Sequence, residues 1–209
     1  MRLTKYEHSC VLVEDGHGRV LVDPGNFSSG FEDLTGLTAV LITHQHPDHV
    51  DLDRLPALLE KNPDAQVHAD TGTVEALAGA GIDARTVQAG DHLDVGIGVD
   101  VHGEQHAVIH PDLPVVPNVG YLFGGRFFHP GDSFSPPEPD VEILGMPTAA
   151  PWQKLSEAID YLRAVRPAVA VPIHQAILAK PEMYYGHFQR LGPDHTELRA
   201  VDPGDTIEL

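Results

Sequence analysis

The sequence contains a single cysteine, Cys10, so no intramolecular disulfide can form and no zinc site built from several thiolates exists. Cys10 lies in the apolar run "CVLVE", which suits a buried structural thiol in a reducing compartment. Basic residues are scarce: 13 Lys and Arg stand against 31 Asp and Glu, a formal charge of −18 that opposes both phosphate backbones and anionic lipid. No nucleic-acid partner and no membrane association are therefore expected. Signal-peptide and transit-peptide features are lacking in "MRLTKYEHSCVLVEDG", and no apolar run approaches the length that spans a bilayer, which makes a cytoplasmic location the expectation. No linker or low-complexity stretch divides the 209 residues, so one domain over 1–209 is expected. The sequence leaves a homo-oligomer open.

What is present is a patterned, globular chain, 42% hydrophobic and 21% charged. The first forty residues alternate short β-rich runs with turn signals, "MRLTKY", "SCVLVE", "DGHG", "RVLVD" and "PGN", and predict a hairpin meander. "LTAVLIT" reads as a strand buried on both faces. Leu52, Leu55, Leu58 and Leu59 have helical spacing, with Asp51 or Asp53 as the cap. A strand "AQVHA" and a helix "TGTVEALAGAG" closed by Gly79 and Gly81 follow, and residues 83–129 are again strand-rich. The chain continues with "VEILGMP" (strand), "WQKLSEAIDYLRAVR" (helix), "AVAVPIH" (strand), "PEMYYGHFQRLG" (helix) and a terminal "DTIEL". Two sheets packed face to face with helices outside satisfy that order. A doubly wound parallel sheet is the competitor, and it predicts steadier β/α alternation than residues 83–129 offer.

The chemistry concentrates in "THQHPDHVDLD", residues 43–53. Imidazole and carboxylate are the ligands zinc, manganese and iron accept when thiolates are absent. His44 and His46 are two apart in a segment leaving a strand, so they point to one side and can share a metal. Asp48 and His49 lie past Pro47, whose ring bends the backbone, so they can face a second metal. The remaining ligands must come from other strand ends. Candidates are His106 in "GEQHAVIH", Asp132 in "FFHPGDSF", which as a carboxylate can bridge two cations, and His174 in "VAVPIHQA".

"THQHPDHVD", followed in order by His106, the "GDS" Asp132 and the "PIH" His174, resembles the HxHxDH signature of the metallo-β-lactamase superfamily across nearly the whole chain. The resemblance implies an α/β (α+β) fold, the four-layer αβ/βα sandwich, with the site at one edge between the sheets. It implies that His44, His46 and His106 hold one metal, that Asp48, His49 and His174 hold a second, and that Asp132 bridges them. "EHSCVLVE", "NVGYLF" and "PIH" are most similar to the small UlaG-like metal-dependent hydrolase branch, which includes relatives of ascorbate-6-phosphate lactonase. Two departures separate the chain from other branches: Asp51 and Leu52 stand where glyoxalase II and tRNase Z relatives carry glycine, and His46 stands where flavodiiron oxidoreductases carry Glu.

The expected function is hydrolysis of a small-molecule ester, lactone or phosphoester. Two divalent ions, best matched by zinc with manganese and iron accepting the same donors, would sit ~3.5–4 Å apart and turn a shared water into a metal-bound hydroxide near neutral pH. Asp48 is the candidate catalytic acid or base. His8 and His110 are candidates for supporting the ligands or contacting substrate, Asn118 for supporting the site, and Trp152 for walling the pocket, each beside an ordinary structural reading. Arg126, Lys154 and Lys180 are candidate anchors for an anionic substrate. A phosphodiesterase or nuclease on the same fold would expect basic clusters that the chain lacks. A non-catalytic regulatory binder of metal or ligand is the alternative from another class.

Overall fold

The computed structural model describes residues 1–138 and 140–209. Two seven-stranded mixed sheets form the centre of the molecule. The first takes β1 (Arg2–Lys5), β2 (Val11–Asp15), β3 (Gly18–Val22), β4 (Ala39–Ile42), β5 (Gln66–Ala69) and β6 (Arg85–Thr86) side by side in chain order, and β14 (Thr206–Glu208) returns to pair antiparallel with β1. The second is assembled from β7 (His92–Asp94), β8 (Gly98–His102), β9 (Gly120–Phe123), β10 (Phe127–His129), β11 (Ile143–Pro147), β12 (Val169–Ile173) and β13 (Glu197–Leu198), again in chain order. The hairpin β1–β2–β3 is antiparallel, and β3–β4–β5–β6 is parallel. The doubly wound alternative is thereby excluded.

Side-chain alternation explains the layers. In β2 and β3, Val11, Val13, Val20 and Val22 turn inward against Val99, Tyr121, Phe123 and Phe127 of the second sheet. Their neighbours Leu12 and Leu21 turn outward into a separate cluster with Leu55, Leu58 and Leu77. β4 is buried on both faces, Ala39 and Leu41 inward, Val40 and Ile42 outward, as an unbroken apolar run requires. The outer face of the second sheet is covered by α3 (Leu155–Val165) and by α4 (Glu182–Leu191) through Phe188. The result is the layer order expected from the sequence, helix, sheet, sheet, helix.

The helix ends differ from expectation in two places. α1 spans only Leu55–Lys61, because Asp51 Oδ1 accepts from the backbone N–H groups of Asp53 and Arg54 and holds a turn ahead of the helix. Leu52 therefore lies outside it. α2 (Thr71–Gly79) starts at Asp70, whose side chain accepts from the N–H groups of Gly72 and Thr73, a cap the sequence reading did not single out. Its chain reversal falls at Gly81, with φ +78°, and not at Gly79.

Candidate metal centre

The seven candidate ligands arrive from the ends of strands that run in different sheets yet finish at the same edge. Thr43 separates β4 from His44, and Pro47 turns the chain so that the N–H groups of His49 and Val50 both bond the His46 carbonyl, at 2.9 and 3.0 Å. That tight turn is what puts His44, His46, Asp48 and His49 on one concave side. His106 follows β8, Asp132 follows β10, and His174 comes directly after β12.

Three groups of donor atoms converge: His44 with His46 and His106; Asp48 with His49, His174 and His8; and Asp132 with His44 and His49. Within each group the ligand atoms lie within 4.8 Å of one another. Asp132 stands between the other two groups, its oxygens 3.1 Å from His49 Nε2, 3.1 Å from His174 Nε2 and 3.3 Å from His106 Nε2. His44 Nε2 faces His46 Nδ1 at 3.1 Å. Asp48 Oδ2 is 3.1 Å from His8 Nε2 and 3.5 Å from His174 Nε2.

The outward nitrogens are spoken for, and this fixes the inward ones. His106 Nδ1 donates to the Ala107 carbonyl at 2.5 Å and His174 Nδ1 to the Ala149 carbonyl at 2.7 Å. His49 Nδ1 donates to Asp23 Oδ2 at 2.7 Å. Thr43 Oγ1 donates to Asp23 Oδ2 at 2.8 Å, so it accepts from His44 Nδ1 at 3.1 Å. Each of these rings thereby turns its Nε2 inward, toward the cluster. The Nε2 atoms of His49, His106 and His174 and Oδ1 of Asp132 are buried and face only one another, with no partner from outside the cluster. Unpaired lone pairs this deep are costly unless something positive meets them. The donor set of imidazoles and carboxylates fits divalent metal ions on that ground.

The electrostatics agree. Burial favours neutral forms, and His44 is held well below the ordinary histidine value, first by burial and then by His49 beside it. Burial also pulls His8 down to about 4 despite its bond to Asp48. His174 is pushed up to about 9 and His49 well above its usual value, because Asp132, with Asp48 or Asp23, overcomes a burial effect of opposite sign. Burial alone would raise Asp48 and Asp132, yet the surrounding histidines hold both carboxyls well below the carboxylate range. The pocket thus draws positive charge, and a metal ion binding there competes with protons for the same nitrogens.

Among known proteins, the family model of the Beta-lactamase superfamily domain matches residues 2–174. The chain belongs to that superfamily. Protein Rv0786c of Mycobacterium tuberculosis is 52% identical over 91% of this chain and 92% of its own length. A UPF0173 metal-dependent hydrolase of Aeropyrum pernix is 28% identical over 100% and 97%. The solved structure of Igni18, a novel metallo hydrolase from the hyperthermophilic archaeon Ignicoccus hospitalis, shares the fold with a TM-score of 0.76 at 21% identity, covering 99% of this chain and 97% of that one. The metallo-β-lactamase sandwich expected from the HxHxDH resemblance is the fold observed.

Of the supporting candidates in this superfamily member, three reach the centre. Trp152 sits in the turn before α3 and donates Nε1–H to Asp132 Oδ2 at 2.7 Å. Asn118 clamps the Asp132 turn from both sides, donating to the Pro130 carbonyl at 3.0 Å and accepting from Asp132 N–H at 2.9 Å. His8 is wholly buried, and its Nδ1 has no partner. His110 is not brought in: it stands exposed, its Nδ1 accepting from the N–H of Asp112 at 3.1 Å, because the loop after His106 carries it outward. Arg126 and Lys154 are not anchors at the site either, since Arg126 is paired with Glu142 and Lys154 with Glu157.

Sequence reading missed Asp23. It ends β3 in "VLVDPG", fully buried, and organises both His49 and the Thr43–His44 pair; its backbone N–H of Thr43 contact is 2.7 Å. The signal was there, an acid directly after a buried strand and beside a Pro-Gly bend, although Asp23 precedes its Pro-Gly and Asp132 follows its own. Gly25 then lets this loop press against the Asp48 backbone, a contact any Cβ would block.

Proposed function

We propose that the protein is a metal-dependent hydrolase whose centre holds two divalent ions, zinc suiting the donors best, and acts on a small ester, lactone or phosphoester. His44, His46 and His106 would hold one ion, Asp48, His49 and His174 the other, and Asp132 would contribute to both. When bound, the ions supply Lewis acidity, polarising a substrate oxygen and making water acidic near pH 7. The rest is the work of side chains. Asp48, held ionised by His8 and His174, accepts the proton of an attacking water and can return it to the leaving group. Trp152 fixes Oδ2 of Asp132 and the Asn118 clamp fixes its backbone, so Oδ1 is kept facing the cluster. Asp23 holds His49 in the tautomer that presents Nε2.

The observation that carries this reading is the set of buried Nε2 and carboxylate oxygen atoms that converge on one space and face only one another. Metal quantification on purified protein, with hydrolysis measured for wild type and Asp48→Asn, tests it. About two equivalents of metal and at least a ~100-fold fall in kcat for Asp48→Asn are expected. Less than one equivalent, or undiminished hydrolysis by the variant, sinks the two-metal mechanism.

A further inference from the structure

Large apolar side chains that remain exposed are informative when they cluster. Among the described residues the large exposed ones are Phe27, Leu52, Val108, Ile109, Leu113, Val115, Ile177 and Met183, each between 36% and 64% exposed. All but Met183 stand on the loops that carry the candidate ligands or Asp23. Val108 and Ile109 follow His106 by two and three residues, and Ile177 follows His174 by three, so extended-chain reach places them within about 11 Å of those ligands. Phe27 lies on the loop after Asp23 with its ring 5.2 Å from that of His8. The segment from 107 to 116 leaves and returns at one point: His106 N–H bonds the Val116 carbonyl at 3.0 Å, and Gln105 bridges Pro117. It is an arm rooted at a ligand, with an apolar tip in solvent.

Charge at the site has one further property. Among the described residues, no lysine or arginine nitrogen hydrogen-bonds or ion-pairs with any of the seven ligands, Trp152 or His8. A phosphorylated or carboxylated tail on the substrate would meet a chain of net charge −18 and ligands that carry no bonded cation. An aliphatic or aromatic tail would cover side chains that otherwise expose apolar surface to water.

We infer that the substrate is uncharged away from its reacting bond: a carboxylic ester or thioester whose apolar acyl group lies over Phe27, Val108, Ile109 and Ile177. This rests on the hydrolase reading of the same site and narrows it. In the reaction, water oxygen bonds to the acyl carbon, the carbon–oxygen or carbon–sulfur bond to the leaving group breaks, one proton of the water leaves with the alcohol or thiol, and the acyl group departs as its acid.

The test uses the metal-loaded protein and two readouts. Trp152 is the only tryptophan and touches Asp132, so its fluorescence reports binding of straight-chain carboxylates from acetate to octanoate. Hydrolysis is followed for p-nitrophenyl esters over the same range, beside p-nitrophenyl phosphate and bis(p-nitrophenyl) phosphate. Each added CH2 is expected to raise affinity and kcat/KM roughly two- to four-fold, and Phe27→Ser, Val108→Ser and Ile177→Ser to lower that slope. Lys180→Ala, on the exposed loop after Ile177, is expected to change neither readout. Affinity independent of chain length overturns the inference, as does faster turnover of either phosphate compound that Lys180→Ala abolishes. Chain-length-dependent binding with no ester turnover by loaded protein keeps the apolar recognition and removes the hydrolase reading instead.

Discussion

Replacing the Asp23 carboxylate by an amide keeps an acceptor for Thr43 N–H but weakens the bond that orients His49. Asp23→Asn is expected to lower metal affinity by about 10- to 100-fold with the fold retained, measured by competition against a chelator; unchanged affinity would show that His49 is held by packing alone. A second residue acts on stability and not on metal. Lys5 is buried in β1, donates to Gln175 Oε1 at 2.6 Å, and is lowered by burial to about 7 from an ordinary 10.5. Between those values the unfolded chain binds more protons than the folded one, so stability should rise as pH climbs from 7 to 10.5 and be lost as pH falls back toward 7. Denaturant melts across that range should show the slope in wild type and lack it in Lys5→Met.

At the scale of elements, the centre depends on turns that few residues can make. Glu7, His8, Asp23 and His174 all have positive φ, between +39° and +73°, and all lie on loops at the site; Arg166 is the only other non-glycine residue among the described ones to do so. Strain of this kind persists where surrounding contacts impose it, and here the imposing contacts include the His174 N–H to His8 carbonyl bond at 3.0 Å. Gly131 combines both requirements, with φ +62° and a would-be Cβ at 2.7 Å from Thr43 Cβ. Gly131→Ala is expected to cost about 2 kcal/mol or more and to displace Asp132 and Thr43 together. Melting temperature should therefore fall by at least ~4 °C, and metal loading should raise it by less than it does in wild type.

For the whole molecule, two sheets are joined at one edge by a centre crowded with carboxylates and imidazoles. Metal binding to the folded chain alone stabilises it by mass action, about 4 kcal/mol when free metal is ~1,000 times Kd. Stripping the protein with a chelator should lower Tm by roughly 8–16 °C at that saturation, and re-addition of zinc or manganese should restore it. An unchanged Tm after verified removal would mean the convergent nitrogens serve packing and not metal.

How much of this was legible differs by residue. His44, His46, Asp48 and His49 could be singled out because four ligand-type residues fall within six positions after a buried strand, and His106, Asp132 and His174 because each follows a β-type run, whereas Leu52 could be misplaced in α1 because apolar spacing ignores the turn that Asp51 holds. Alternation along β2, β3 and β4 likewise specified which side chains face the second sheet. The sequence by itself determined the period of each element and the chemical kinds of ligand available, since both are local properties of the chain. Only the tertiary structure decided that Asp23 supports two of the candidate ligands, that Trp152 bonds Asp132 and that His110 points away, because those facts depend on the packing of segments far apart in the chain against one another at a single sheet edge.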